Sequence, residues 1–87
     1  MDIYVITVLE EWMDGNYAYT CDECSTTIEG AKKLLVKYTH DLAKEYEEES
    51  GGPSEIIREG EMLTTISIND DYGMATLEIT KVKLRKE

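Results

Sequence analysis

The sharpest local motif is Cys21-Asp22-Glu23-Cys24. Two thiolates three residues apart can grip a zinc ion about 2.3 Å away, yet they supply only half of a tetrahedral site. Nothing else in the chain offers the missing pair: there is no second cysteine pair, and His40 is the one histidine. Two copies of the chain would complete a Cys₄ site, a redox pair is a second reading, and two ordinary cysteines at a strand end are a third. A helix beginning just after Cys24 would favour the thiolate through its dipole. Asp22 and Glu23 oppose it, because adjacent negative charge disfavours ionisation. The expectation is no metal and no cofactor. Two cysteines are also too few for a disulfide framework.

His40-Asp41 superficially matches the His-Asp pair of metal phosphohydrolases, but such sites need several more histidines. Gly51-Gly52 has neither the lysine nor the spacing of a phosphate-binding loop, and no nucleophile elbow or zincin motif is present. With no recognisable nucleophile and base, the chain is expected not to be an enzyme.

The remaining chemistry is charge. The 87 residues hold 19 Asp and Glu against 9 Lys and Arg, a net of −10, and the pI is about 4.4. Direct nucleic-acid binding is excluded, since it requires basic side chains that displace counterions from phosphates. Residues 1–80 carry 18 acids and 5 bases, while 81–87 carry four bases and one acid, so the negative field belongs to the body. Glu45, Glu47, Glu48 and Glu49 crowd the expected C-terminal end of a helix, where the dipole disfavours carboxylates by about 0.3 to 1 kcal/mol each. Asp41, Glu45 and Glu48 share one stripe at i, i+4 and i+7. Lys32, Lys33 and Lys37 occupy the N-terminal half, so this helix is arranged against its own dipole. Further acids cluster in turns, at Glu10, Glu11 and Asp14, at Asp22 and Glu23, and at Asp70 and Asp71. The candidate partner-binding residues are Asp41, Glu45, Glu48, Glu49, Asp70 and Asp71.

Hydrophobic periodicity supplies the elements that would position these groups. Ile3 to Leu9 is β-branched and apolar on both faces, which suits a central strand. Asp14-Gly15-Asn16 is turn chemistry, and Tyr17 to Cys21 alternates, so the two segments are expected to form a hairpin. Thr26 and Glu29 make a capping box. Ile28, Ala31, Leu35, Tyr38, Leu42 and Tyr46 then follow a helical period. Gly51 and Pro53 are placed to end that helix. Met62 to Asn69 alternates as a strand, 69–73 turns the chain, and Ala75 to Leu84 forms a last strand whose phase change calls for a bulge near Thr80.

The order predicts an α+β fold: a single domain over 1–87, two layers in ββαββ order, with one long helix packed on a four-stranded antiparallel sheet. One helix covers one face, leaving Tyr4, Ile6, Val8 and Trp12 as a candidate dimer face, to be sealed by 55–59, by Trp12 itself or by a second copy. No stretch reaches the ~20 apolar residues of a membrane span, and no signal-peptide layout precedes the first strand. A cytoplasmic protein with no membrane contact is expected.

In size, charge and one-domain α+β pattern, with the acids named above, the chain is similar to small acidic inhibitor proteins of phages and mobile elements. These include anti-CRISPR proteins, anti-restriction DNA mimics and nuclease immunity proteins. The resemblance implies a stoichiometric inhibitor in the host cytoplasm that fills the basic nucleic-acid groove of an enzyme. Glu45, Glu48, Glu49, Asp70 and Asp71 would face Lys and Arg of that partner. Lys32, Lys33 and Lys37 dilute the mimicry. The alternative is a small structural or regulatory domain that homodimerises through the uncovered sheet face.

Overall fold

Side chains alternate along a strand and recur every three to four residues along a helix. In the computed structural model, which describes residues 2–69 and 72–83, these two periods meet in one core. The elements are β1 (Asp2–Trp12), β2 (Gly15–Ser25), α1 (Ile28–Ser50), β3 (Ser54–Glu59), β4 (Leu63–Ile68) and β5 (Gly73–Lys83). The strands form one antiparallel sheet in the order β2-β1-β5-β4-β3. On its helix side, Ile6, Val8, Ile66, Ile68, Ala75, Leu77 and Ile79 pack with Ala31, Leu35, Leu42 and Tyr46 of α1.

Local chemistry sets the boundaries. Trp12 pairs with Gly15 across a two-residue hairpin turn, and Gly15 takes a φ of 151°, a conformation that favours glycine. The Thr27 hydroxyl caps α1 by accepting the Gly30 N–H at 3.1 Å, and Ser25 Oγ accepts the Thr27 N–H at 3.2 Å. At the other end Gly51 is left-handed, with φ 69°, and its N–H reaches Glu47 O. After Pro53, the Ser54 hydroxyl has Glu47 Oε1 at 2.9 Å and Ala43 O at 3.0 Å as the two acceptors that share its one proton. That latch ties the start of β3 to the last turns of the helix.

Several expectations need correction. The sheet has five strands, not four, and the order is ββαβββ. The added strand is β3, whose alternation is broken by a register shift between Ile56 and Arg58. β5 needs no bulge: it pairs with β1 without interruption from Asp2↔Lys83 to Trp12↔Gly73. Val82 therefore comes out on the uncovered face, and Leu84 lies outside the described residues. The irregularity lies instead in β2, where the register shifts between Val5 and Thr7 of its partner. The helix cap is Thr27, one residue later than the capping box placed it.

The assignment of sheet faces also reverses. Ile6 and Val8 are 0% and 2% exposed, and Tyr4 and Trp12 pack against the same core. The four residues of the candidate dimer face are thus on the covered side, because the long helix settles over the more continuous apolar row. The uncovered side carries Ile3, Val5 and Leu9 of β1, opposed in register by Val82, Thr80 and Thr76. Ala18, Thr20 and Thr65 extend it on neighbouring strands. The accessible surface, 5971 Å², exceeds the roughly 5,200 Å² that size scaling gives for a chain of this mass. A single sheet with one bare face accounts for the sign of that excess.

Candidate functional site

β2 is an edge strand, and the flank of α1 beside it is where tyrosines and carboxylates meet. Tyr19, Cys21 and Asp22 of β2 face Tyr38, Asp41, Leu42 and Glu45 of α1 across an open hollow of about 420 Å³. A second hollow of about 540 Å³ lies at the C-terminal end of the helix, lined by Trp12, Asp14, Tyr17, Glu49, Ser50, Asn69 and Tyr72. Tyr17 and Tyr19, two residues apart on one face of β2, connect the pair. Among the described residues no lysine or arginine lines either hollow.

Helical spacing explains the gathering of acids. Asp41, Glu45 and Glu49 are four residues apart, so they run down one side of α1. Lys37, one turn before Asp41, is engaged already: its ammonium lies 3.1 Å from Glu23 Oε2, and that partner raises its pKa. The same Nζ sits 5.6 Å from the centroid of the Tyr38 ring, whose hydroxyl accepts the Glu23 N–H at 3.3 Å. Lys44, also exposed, follows Asp41 on the outer surface of the helix.

Trp12 is held on several sides. Its Nε1–H donates to Glu10 Oε1 at 3.0 Å. Its ring meets Tyr46 edge-on at 5.6 Å and Tyr72 at 5.8 Å. A Cβ on Gly73 would sit 2.6 Å from the ring, so glycine there is what lets the indole lie against the backbone of β5. Behind it, the Tyr46 hydroxyl is buried without a partner in hydrogen-bond geometry. Glu10 and Tyr19 lie close enough to perturb it. Burial first, and then the neighbouring Tyr19 and Glu10, push the Tyr46 phenol upward. Burial and Glu10 do the same to Tyr19.

The cysteine motif straddles the irregular stretch of β2. Cys24 pairs with Val5, on the uncovered face, whereas Cys21 packs toward the core under the helix. Both cysteines are free thiols, one set toward the core and the other paired with the uncovered face. Burial, followed by Asp22 and Glu23, raises the Cys21 thiol. His40 is exposed. Among the described residues, no three metal-ligating side chains come together.

Of the residues singled out in the sequence, Asp41 and Glu45 line one hollow and Glu49 the other. Glu48 is exposed and lines neither, and Asp70 and Asp71 lie outside the described residues. Glu47 belongs to the opposite flank, where it binds Ser54. Sequence reasoning missed the aromatic half of the site: Tyr17, Tyr19, Tyr38 and Tyr72, with Trp12 assigned elsewhere. The alternation of Tyr17 and Tyr19 was a usable signal, but only the sheet order reveals that β2 is an edge beside the acidic flank of α1. Aromatic faces and carboxylates both attract organic cations, so the arrangement is chemically suited to basic side chains.

Among the described residues, no helix is long and apolar enough to cross a membrane. No protein-family model matches the chain, and no curated protein or solved structure matches it either.

Proposed function

We propose that the chain is a small acidic binding protein that presents the flank between β2 and α1 to a basic groove of a partner protein. The observation that carries this reading is the gathering of Asp22, Asp41 and Glu45, and of Asp14 and Glu49, beside exposed tyrosines, with no basic residue among the described residues that line the hollows. A groove built for phosphates is the natural counterpart, because it offers Lys and Arg in rows. Carboxylates in such a groove exclude nucleic acid by competition, and the protein then acts as a stoichiometric inhibitor of a nucleic-acid enzyme. A net charge of −10 on a chain this small also accelerates encounter with such a partner.

Affinity capture from the source cell tests this. The wild-type chain should retain a basic nucleic-acid-binding protein at about 0.05 M salt and release it near 0.5 M, because screening shortens the reach of each charge. The triple variant Glu45→Gln, Glu48→Gln, Glu49→Gln should fold normally and lose the capture. Equal capture by the variant would overturn the reading. The other reading, a homodimer through the bare sheet face, now rests on Ile3, Val5, Leu9 and Val82, with Leu9 41% exposed. Threonines interrupt that row, so it is the weaker of the two.

A further inference from the structure

We infer that the hollow at the C-terminal end of α1 is an anchor site for one arginine side chain of the basic partner, with Trp12, Tyr17 and Tyr72 as its walls and Asp14 and Glu49 as its counter-charges. The inference rests on the binding reading above and names the side chain that this part of the flank takes. Three aromatic residues around a cavity of about 540 Å³ favour a cation that can lie against a ring. Two carboxylates at the same cavity favour one that also donates several hydrogen bonds. Guanidinium satisfies both demands: it is planar, weakly hydrated, stacks on aromatic faces and binds carboxylates in a fork. An ammonium is more strongly hydrated and cannot stack, while a quaternary ammonium leaves Asp14 and Glu49 without donors.

The site is built before the ligand arrives. Trp12 is fixed by its hydrogen bond to Glu10 and by edge contacts to Tyr46 and Tyr72, so little ordering is left for binding to impose. Tyr72 and Tyr17 are 52% and 56% exposed and therefore reachable.

Trp12 is the sole tryptophan, so its fluorescence reports on this hollow directly. Titration of the full chain with hexa-arginine should change the emission saturably, and hexalysine of equal charge should bind at least about fivefold more weakly. Tyr72→Ala and Glu49→Gln should each weaken hexa-arginine by about fivefold, and Tyr72→Phe should restore it, with thermal melts confirming that all three fold. Equal affinity for the two peptides, untouched by Tyr72→Ala, would overturn the arginine site while leaving the acidic flank in place. Failure to bind either peptide would remove both. Tetramethylammonium displacing hexa-arginine better than guanidinium does would also overturn the assignment, in favour of a quaternary ammonium.

Discussion

Tyr46 shows how a single atom can work against the residue that carries it. The ring is 3% exposed and packs edge-on against Trp12, but its oxygen is buried with no hydrogen bond. An unmade bond of this kind costs about 1 to 3 kcal/mol, whereas the ring contacts survive in phenylalanine. Tyr46→Phe should leave the unfolding free energy unchanged or raise it by about 1 kcal/mol in urea titration; a clear loss would show that Glu10 or Tyr19 holds the hydroxyl in solution. The same phenol governs behaviour at alkaline pH. Tyr19 and Tyr46 are both pushed upward on folding, so the folded state holds these protons more tightly than the unfolded chain does. Their contribution is complete below the ordinary tyrosine value of about 10 and drains as pH rises beyond it. The urea midpoint should therefore fall above about pH 10, less steeply in Tyr46→Phe.

Among the elements, α1 is the one whose ends are chemically specified. The Thr27 cap is a single hydroxyl on the Gly30 amide. With glycine in place of a glutamate at that third position, no reciprocal bond supports it. Thr27→Ala should cost about 1 kcal/mol, read as a lower urea midpoint with unchanged slope. The helix and the terminal hairpin were legible in the sequence because their periods are long and their stops are Gly and Pro. β3 was not: six residues with two adjacent isoleucines and a register shift give no sustained alternation. The face reversal has a similar cause. β1 is apolar on both sides, so its own pattern does not say which side the helix takes; that is decided by partners such as Leu77 and Ile79, which reinforce the even-numbered row. Of the stripe read at helical spacing, Asp41 and Glu45 line a hollow and Glu48 does not; the fourth-residue step to Glu49 is what the strand beside the helix selects. The aromatic half depended on strand order, which local sequence does not encode.

At the scale of the whole molecule, the charge and the bare sheet face pull in opposite directions. The bare face invites self-association, but it is studded with Thr7, Thr20, Thr65, Thr76 and Thr80, which suit a strand without presenting a continuous apolar surface. Ten net negative charges repel a second copy at neutral pH. Sedimentation at pH 7.5 and tens of micromolar should find a monomer, and the same series taken toward the pI of about 4.4 should find association. A dimer at pH 7.5 that Leu9→Lys dissociates would instead support the homodimer reading.

The edge position of β2 has a further consequence. Its 11 residues contain neither lysine nor proline, the usual guards against another strand adding to an open ladder. The irregular stretch beside Cys21 spoils the template over one half, but residues 15–20 keep a regular register with β1 and leave their outer backbone groups to water. At neutral pH the net negative charge of the body opposes the pairing of two such edges. Under the proposed function, the acids offered to a basic partner also act as gatekeepers against amyloid-like stacking, and a buffer that neutralises them should remove both properties together.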